Sequence, residues 1–307
     1  INALEISSLE KEITTLHVQA TELLIKKFKT NKVEIDLIGF HGQTIFHSFR
    51  DKKTKQLGDG KTLSNLTGLN VVYKFRENDL KNGGQGAPLA TIFHRALQKK
   101  LNIKTPVVFV NIGGISNVTY LGKNNEMISF DSGPGNFLID KLVQLKSNDK
   151  IQFDKDGKIA FSGRVNKNIL NSYLCDSFYK LQPPKSLDVN NFNLGLVSGL
   201  SLEDSVTTLS EVTSTTITDS LTFFFQKPWE IILCGGGRKN KYIHGQIKEK
   251  SKIKTTSIDD YKINGDFIES QAFAYLAIRS FLKKPITFPK TTGVFKACTG
   301  GKLINFR

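Results

Sequence analysis

The sequence lacks any apolar run long enough to cross a bilayer. The longest apolar patches, residues 221–225 and 231–233, are separated by Gln226, Lys227 and Pro228. A membrane-spanning helix needs about 20 predominantly apolar residues. We therefore expect no association with a membrane.

Cysteine is scarce: the chain has three, Cys175, Cys234 and Cys298, and their wide spacing suits neither a disulfide framework nor a zinc site. The five histidines give no convincing ligand set, because His41 and His47 are too loosely spaced for one helical face and nothing nearby completes a metal site. These patterns predict a reducing, cytoplasmic location and no protein-bound metal cluster.

The P-loop signature, Gly-x-x-x-x-Gly-Lys-Ser/Thr, is also missing, which argues against a P-loop enzyme. Acidic residues are fewer than basic ones, 28 against 43, and the formal net charge is +15. That excess could indicate nucleic acid, an anionic membrane or an anionic substrate. The lysines are scattered without an arginine-aromatic stripe, so we favour a solvated basic surface and expect no nucleic-acid partner.

What the chain does have is enough material for one large or two ordinary globular domains: 307 residues, 39% of them hydrophobic. Its strongest functional signal lies in residues 107–136. An apolar run at 107–110 breaks at a pair of glycines and resumes at 118–121, which predicts strand, tight turn and strand. The polar and glycine residues of this turn are Asn111, Gly113, Gly114, Ser116 and Asn117. Paired glycines let backbone amides approach an anionic ligand, so the turn is a candidate phosphate site.

A second predicted strand, residues 127–130, leads into Asp131 and the turn Ser132-Gly133-Pro134-Gly135, and a helix is predicted over 136–145. This pattern holds one carboxylate at a strand end beside a glycine-rich turn. Both motifs also have ordinary structural explanations. Two-glycine turns are common in hairpins, and an Asp that opens a turn often caps backbone amides.

Periodicity predicts the remaining elements. We expect helices over 4–28, 62–67, 89–101, 206–224 and 272–282, and strands over 33–40, 69–73 and 229–234. Polar turns are expected at 41–44 and 55–60, and a shaped loop at 82–89, where a flexible linker is the alternative. Gly235-Gly236-Gly237 ends a buried strand before a helix, an arrangement compatible with a nucleotide. Glu269, near the first turn of the last helix, is either a cap or a site residue.

Seven motifs occur in a characteristic order from about residue 16 to 292. They are His41-Gly42-Gln43-Thr44, Gly83-Gly84-Gln85-Gly86-Ala87-Pro88, Asn111-Ile112-Gly113-Gly114-Ile115-Ser116-Asn117, Asp131-Ser132-Gly133-Pro134-Gly135-Asn136, Pro184-Lys185-Ser186, Cys234-Gly235-Gly236-Gly237 and the helix that carries Glu269. Together they resemble the anhydro-N-acetylmuramic acid kinases. The resemblance implies an α/β, two-lobed actin-like ATPase (ribonuclease H-like) fold.

The same resemblance implies the chemistry. Water opens the 1,6-anhydro bridge of anhydro-N-acetylmuramic acid while ATP, with Mg²⁺, phosphorylates O6, giving N-acetylmuramic acid 6-phosphate in peptidoglycan recycling. Asp131 matches the family's general base. Residues implied for ATP are Asn111, Gly113, Gly114, Asn117, Gly235, Gly236, Gly237 and Asn240, and those implied for the sugar are Gln43, Asp59, Gln85, Gly86, Asn136 and Glu269. A homodimer is the family expectation.

Some family features differ. The family opens with a strand and a Gly-Thr-Ser-x-Asp-Gly phosphate loop that this sequence lacks. We therefore expect residues 1–75 to be the remainder of an N-terminal lobe without its first strands, and 76–307 to be the C-terminal lobe with the second phosphate loop, the catalytic Asp and the adenosine motif. Lys74 replaces the usual Asp, and Leu187-Asp188-Val189-Asn190 replaces the usual Thr-Gly-Arg-Glu.

Two functions stay open from the sequence. One is an ATP-dependent anhydrosugar kinase, complete only with a separately made N-terminal piece. The other is a catalytically impaired fragment of such a kinase that at most binds sugar.

Overall fold

The computed structural model describes residues 3–49, 51–188 and 192–306. Within these ranges the chain forms two compact units. The first, here called the split unit, runs up to Phe93 and resumes at Glu269, and the second, the central unit, spans His94–Ile268. This division differs from the lobes expected from the sequence, 1–75 and 76–307, which remain a prediction.

The described residues form ten strands. They are β1 (Ile38–Gly39), β2 (Gln43–Ser48), β3 (Lys53–Leu57), β4 (Val71–Tyr73), β5 (Val107–Ile112), β6 (Ile115–Leu121), β7 (Met127–Pro134), β8 (Glu230–Cys234), β9 (Lys254–Ser257) and β10 (Lys302–Ile304). Eleven α-helices accompany them in the same ranges. They are α1 (Ala3–Phe28), α2 (Gly60–Thr67), α3 (Glu77–Lys81), α4 (Thr91–Lys100), α5 (Phe137–Lys146), α6 (Lys158–Ser162), α7 (Lys167–Leu174), α8 (Leu202–Ser220), α9 (Lys241–Ser251), α10 (Ile268–Phe281) and α11 (Pro289–Thr292).

The split unit contains a small mixed sheet and a separate hairpin. In the sheet, β4 pairs in parallel with β1 and antiparallel with β10, so the two ends of the unit meet in one sheet. The hairpin joins β2 to β3. Phe40, Leu63 and Val71 form a small core beneath the sheet. The long helix α1 confirms the expected N-terminal helix.

The strand predicted over residues 33–40 is wrong for most of its length. Only Ile38 and Gly39 pair with β4, which is three residues long, and residues Lys32–Glu34 form a 3₁₀ turn instead of a strand. Val33 is 92% exposed, so the alternation that suggested a buried strand has no sheet to pack against. The predicted turn at 41–44 is shorter than expected, since β2 begins at Gln43.

The central unit is built on one five-stranded sheet with the order β7-β6-β5-β8-β9. Its first three strands in sequence, β5, β6 and β7, pair antiparallel, and β8 and β9 then add in parallel on the other side of β5. Antiparallel hairpins followed by parallel crossover strands give the ribonuclease H-like topology. The α/β fold class expected from the sequence is confirmed.

The two faces of this sheet differ. Val108, Val110 and Ile112 point to one face, where they join the main hydrophobic core with residues of α5, α8 and α9. On the other face the His94 ring, from α4, stacks on Phe109 at 4.9 Å between centroids, and its Nδ1 lies 3.0 Å from Thr119 Oγ1. The sheet is thus covered on both sides, as expected for a sheet with parallel crossovers.

Ser201 caps α8 through a 3.1 Å bond from the Asp204 amide to its hydroxyl, so the helix predicted over 206–224 begins four residues earlier, at Leu202. Among the residues that the structure describes, no helix combines the length and apolar character needed to cross a bilayer.

Candidate active site

Three glycine turns of the central unit lie along one edge of its sheet. β5 and β8 are parallel, and β7 runs in the same direction as β5 because both are antiparallel to β6. Their carboxyl ends, Ile112, Pro134 and Cys234, therefore meet at one edge, where open α/β sheets commonly bind ligands. We call it the glycine edge. The strand order therefore brings these turns to the same end of the sheet.

The turn at Gly113-Gly114 is fastened to the turn after β7 by backbone hydrogen bonds. The Asn136 amide donates to Gly113 O at 2.7 Å, and the Gly135 amide donates to Gly114 O at 2.9 Å. A Cβ on Gly135 would overlap Gly113 O, so only glycine permits this approach. At Gly113 and Gly114 themselves a Cβ would have ordinary contacts of 3.5 Å or more. A methyl group could therefore be accommodated at either of these two glycines without overlap.

The third turn, Gly235-Gly236-Gly237, packs against the end of β5. Gly235 has a φ of +74°, and a Cβ there would lie 2.6 Å from Ile112 O. A Cβ on Gly237 would overlap the side chain of Ile112. Both positions need glycine for the close approach of the turn to β5, whereas a Cβ on Gly236 would make only an ordinary contact, 3.9 Å from Asn136 Nδ2.

Asn111, Asn117 and Asp131 form a row across three neighbouring strands, here called the polar row. Asn111 pairs with Asn117, and Asn117 pairs with Asp131. Directly opposed residues carry their side chains on the same face, with Cα atoms roughly 4.5–5.5 Å apart. The pattern Asn-Asn-Asp is thus placed on one face, the one opposite the main core.

The sequence had suggested that Asp131 stands at the end of a strand. In the structure Asp131 lies inside β7, which continues to Pro134. Ser116 pairs with Gly133 and Asn117 with Asp131, so Ser132 is the extra residue of a β-bulge. The Ser132 hydroxyl is 2.7 Å from that of Ser116. The strand continues to Pro134 because this bulge lets the glycine-proline segment stay paired with β6.

A loop that sequence analysis did not connect to Asp131 holds it on two sides. The Asp131 amide donates to Lys185 O at 2.9 Å, and the Leu187 amide donates to Asp131 Oδ2 at 2.8 Å. Asp131 is 6% exposed. The segment that departs from the family pattern after Ser186 thus contributes a donor to the predicted base. Its residues Val189 and Asn190 lie outside the described part of the chain.

A cavity of about 440 Å³ opens beside the glycine edge. Its lining includes Gly236, Gly237 and Asn240, predicted for ATP, and Asn136, predicted for the sugar; the others are Ile139, Asp140, Phe153, Asp154, Lys155, Asp156 and Lys239. Burial, with the neighbouring Asp154 carboxylate, raises the pKa of Asp140 to about 6. Asn240 also caps α9, its Oδ1 accepting from the Ile243 amide at 3.1 Å. The cavity therefore lies between the turn at 235–237, which the sequence assigned to a nucleotide, and Asn136, which the family resemblance assigned to the sugar.

Arg238, which the sequence analysis passed over, braces the third turn. Its Nε donates to Asp259 Oδ2 at 2.6 Å, its Nη2 donates to Asp266 Oδ1 at 2.9 Å and its Nη1 donates to Gly235 O at 2.9 Å. The Arg238 side chain is 2% exposed. In the sequence, the only sign of this role was the position of Arg238 directly after three glycines. Its acidic partners, Asp259 and Asp266, lie 21 and 28 residues further along the chain.

In the split unit, the Gly83–Pro88 loop is organised by Asp79, another residue that sequence analysis missed. Asp79 is 1% exposed, and it accepts from the Gly86 amide and from the Thr292 hydroxyl, both at 2.6 Å. The Gln85 amide donates to Thr292 O at 2.7 Å. These bonds fix the predicted sugar-facing residues Gln85 and Gly86 in a shaped loop, as expected, and not in a flexible linker.

The other residues of the split unit that were predicted to bind the sugar are a helix cap, Asp59, and two exposed side chains, Gln43 and Glu269. Asp59 caps α2, because its Oδ1 accepts from the Lys61 and Thr62 amides at 2.6 and 2.9 Å. Gln43 is exposed at the start of β2, and Glu269 is exposed in the first turn of α10. Lys74, where the family usually has Asp, pairs with Glu77 at 3.0 Å.

The two groups of predicted residues belong to different units. Gln43, Asp59, Gln85, Gly86 and Glu269 are in the split unit, and Asp131, Asn136 and all residues predicted for ATP are in the central unit. Their functional roles stay predictions at this point.

The family model described as anhydro-N-acetylmuramic acid kinase matches residues 2–305. The chain belongs to this family. A relative from Pelagibacter ubique, named anhydro-N-acetylmuramic acid kinase, is 46% identical over 313 residues, covering 99% of this chain and 82% of that protein. One of the same name from Zymomonas mobilis is 40% identical over 295 residues, covering 96% of this chain and 80% of that protein. The resemblance inferred from the ordered motifs is confirmed.

Among solved structures, this chain is similar to an activator of 2-hydroxyisocaproyl-CoA dehydratase from Clostridium difficile with bound ADPNP. The two share 14% identity with a TM-score of 0.41, over 73% of this chain and 84% of the activator. A likeness this remote adds nothing to the family assignment, which rests on the sequence relatives.

Proposed function

We propose that the chain is an ATP-dependent kinase that opens 1,6-anhydro-N-acetylmuramic acid with water and phosphorylates O6, giving N-acetylmuramic acid 6-phosphate for peptidoglycan recycling. One observation carries the proposal beyond family membership. The polar row that contains Asp131 lies on the same sheet edge as the glycine turns at 113–114 and 235–237. A carboxylate and the backbone amides of glycine turns are the groups that this reaction needs together.

Asp131 acts as the general base in this proposal. It takes a proton from water as the water oxygen bonds to C1 of the sugar, and the C1–O6 bond breaks with its electron pair on O6. O6 then attacks the γ-phosphorus of ATP, and ADP leaves. The Leu187 amide, donating to Asp131 Oδ2 at 2.8 Å, favours the charged carboxylate that a base requires.

ATP is assigned to the glycine edge. Gly113 and Gly114, with Asn111 and Asn117 beside them, would face the phosphates, because a Cβ-free surface lets phosphate oxygens reach backbone amides. The adenosine would occupy the 440 Å³ cavity lined by Gly236, Gly237 and Asn240. The lining of that cavity also includes Lys239, whose ammonium pairs with the Asp266 carboxylate at 2.7 Å.

Mg²⁺ fits this arrangement as an ion that arrives with the nucleotide. In the described ranges, no group of three His, Cys, Asp or Glu side chains is placed to hold a metal. Mg²⁺ in nucleotide sites keeps several waters and binds largely through phosphates, so a side-chain cluster is not required. Held by the phosphates beside the polar row, it would neutralise charge that develops during transfer.

The sugar is assigned to Gln43, Asp59, Gln85, Gly86, Asn136 and Glu269. Asn136 already bonds the turn at the glycine edge, its Nδ2 donating to Ile112 O at 3.2 Å, which leaves its Oδ1 to accept from a sugar hydroxyl. Asp59 likewise uses Oδ1 for the α2 cap and keeps Oδ2 for a ligand. We further propose a cytoplasmic homodimer, which sedimentation at several protein concentrations would test.

The test is turnover by the purified chain. We would incubate it with ATP, Mg²⁺ and anhydro-N-acetylmuramic acid, measure ADP release, and identify the sugar phosphate by mass spectrometry. Asp131→Asn removes the base while keeping the side chain's size, and we expect kcat to fall about 10²–10⁴-fold. Asp149→Asn is the matched control, because Asp149 is exposed with a φ of +59° that asparagine accepts readily.

Two results would contradict the proposal. Sugar binding without any ADP release would support the impaired-fragment alternative instead. Full turnover by a correctly folded Asp131→Asn variant would leave the kinase assignment standing but remove Asp131 from the role of base.

A further inference from the structure

The Lys185 ammonium is buried in the central unit and held by the chain's own backbone. Lys185 is 5% exposed, and its Nζ donates to Phe178 O and Tyr179 O, both at 3.1 Å. Both acceptors belong to the short turn that precedes the lysine in sequence. The ammonium thus folds the segment from 178 to 185 back on itself.

Three aromatic rings surround the same ammonium. Its Nζ lies 4.4 Å from the ring centroid of Phe223, 4.7 Å from that of Phe178 and 5.6 Å from that of Phe130. A cation within about 6 Å of a ring centroid is attracted by the face of the ring. Phe130 belongs to β7 and Phe223 follows α8, so these contacts tie the lysine segment to two other elements.

The backbone next to this anchored side chain reaches Asp131. Lys185 O accepts from the Asp131 amide at 2.9 Å, and two residues later the Leu187 amide donates to Asp131 Oδ2 at 2.8 Å. Phe130, one of the three rings, is the immediate neighbour of Asp131 in β7. A change in the position of Lys185 would therefore move both of these bonds, the one to the Asp131 backbone and the one to its carboxylate.

We propose that Lys185 is a positioning residue for Asp131: its caged ammonium fixes residues 185–187 so that the Leu187 amide meets the Asp131 carboxylate. This inference rests on the proposed role of Asp131 as the base. Lys185 itself touches neither substrate nor reacting atoms in this scheme.

The electrostatics of the cage argue against a purely stabilising role. Burial lowers the pKa of Lys185 to about 8, so the charge costs free energy where it lies, and a buried ion is a weak source of stability. The side chain also lines a cavity of about 240 Å³, whose other titratable members are Tyr179, Lys180 and Asp219. Asp219, from α8, is the acidic group there. The ammonium instead fixes the position of the Lys185 segment, because it bonds two carbonyl oxygens and contacts three aromatic rings.

The experiment compares Lys185→Met with Lys180→Met in the full chain. Methionine keeps the length of the lysine stem but has no N–H donors. Lys180 lines the same cavity, is exposed, and makes no contact with Asp131 among the described bonds, so it controls for loss of a nearby charge. The readouts are kcat, KM for ATP, the pH profile of kcat/KM, and hydrogen exchange of the Leu187 amide.

For Lys185→Met we expect kcat to fall about 10–100-fold, since a misplacement of about 1 Å can cost that much, with KM for ATP within about 2-fold of wild type. The acidic limb of kcat/KM should move to higher pH, because the carboxylate loses a donor that favours its charged form. The Leu187 amide should exchange faster. Lys180→Met should match wild type in all four.

A fall in kcat with an unmoved acidic limb and unchanged exchange at Leu187 would overturn the proposal, since a merely structural role predicts that combination. Wild-type kinetics in Lys185→Met would overturn it as well. If that variant does not fold, Phe223→Leu takes its place: it removes the nearest of the three rings and leaves the ammonium with its carbonyl acceptors, so the Leu187 amide should exchange faster than in wild type, and unchanged exchange contradicts the anchor.

The exchange readout needs no turnover. If the wild type fails to convert the anhydrosugar, the kinase proposal fails, while Leu187 exchange still reports whether Lys185 anchors the loop. The two failures are therefore distinguishable.

Discussion

Arg238 Nε and Asp259 Oδ2 lie 2.6 Å apart, and this ion pair braces the glycine turn on which the proposed adenosine site depends. Asp259→Asn keeps the shape of the side chain but leaves the buried guanidinium with Asp266 as its acidic partner. We expect a loss of about 1–3 kcal/mol in the free energy of unfolding, as for other weakened charged hydrogen bonds, and weaker ATP binding. Urea unfolding and calorimetric titration with ATP measure the two effects.

From the same ion pair we predict how the difference in unfolding free energy between wild type and Asp259→Asn changes with pH. The Arg238 guanidinium holds the pKa of the Asp259 carboxyl well below its usual range. A lowered carboxyl pKa stabilises the fold above the unfolded value, about 3.9, and this contribution is lost as the pH falls towards the folded value. The gap between wild type and Asp259→Asn should therefore narrow below about pH 4. A gap that is constant from pH 7 to 3 would contradict this reading of the pair.

Gly113→Ala and Gly114→Ala test the phosphate assignment without disturbing the fold. A Cβ has ordinary contacts at both positions, the nearest being 3.5 Å from Ile115 O and 3.7 Å from Phe137 Cβ, respectively. We expect unfolding free energies within about 0.5 kcal/mol of wild type. ATP affinity should fall about 10-fold or more, because the methyl group occupies space that phosphate oxygens need. Wild-type ATP affinity in both stable variants would remove this turn from the nucleotide site.

Gly237→Ala and Gly236→Ala form a matched pair within one turn. A Cβ on Gly237 would overlap Ile112 and lie 2.9 Å from Asn136 Oδ1, whereas one on Gly236 meets nothing closer than 3.9 Å. We expect Gly237→Ala to cost about 1–3 kcal/mol in unfolding free energy, as overpacked sites do, and Gly236→Ala to cost little. Thermal denaturation followed by circular dichroism compares them. Equal stability of the two variants would show that β8 can shift away from β5.

His41 predicts sensitivity to acid in the split unit. Arg76 Nη2 lies 3.2 Å from His41 Nε2, and a guanidinium only donates, so His41 must accept and is neutral. Burial and the Arg76 charge lower the pKa of His41 to about 3. The unfolded chain takes up a proton below about pH 6.5 but the folded chain does not, so stability is lost as the pH falls from about 6.5 towards 3.

The comparison variant is His41→Gln, which still offers Arg76 an acceptor but does not titrate. Between pH 7 and 4 we expect wild type to lose on the order of 2 kcal/mol more than His41→Gln. Urea midpoints at each pH give this difference. If both proteins lost the same amount of unfolding free energy, the acid sensitivity would belong to groups other than His41.

Local sequence patterns were sufficient for four of the five strands of the central sheet, whereas β9, a polar Lys-Thr-Thr-Ser segment, was not predicted. The β-branched runs of β5 and β8, each ended by glycine, identify buried strands because few other structures suit such residues. The hairpin of β2 and β3 was not predicted, since its Gln, His, Lys and Thr residues do not alternate with apolar ones and it forms a two-stranded sheet of its own. The strand predicted at residues 33–37 was wrong for the opposite reason: these residues have the pattern of a strand but no partner strand.

The contacts that support the site could not be predicted from the sequence. Leu187 and Asp131 are 56 residues apart, and Asp79 and Thr292 are 213 apart. Such bonds arise from chain topology, and no spacing rule for one helix or strand encodes them. The motifs indicated which residues to consider, among them Lys185. The contacts through which Asp79, Lys185 and Arg238 orient their loops became visible only in three dimensions.

The position of β7 has a consequence for solubility. β7 is an outermost strand of its sheet, and a bare outer strand can template pairing with another molecule. At Asp131 the outward amide is already occupied by Lys185 O. The loop that steadies the proposed base therefore also blocks, at that point, the self-association to which an uncovered strand would be prone.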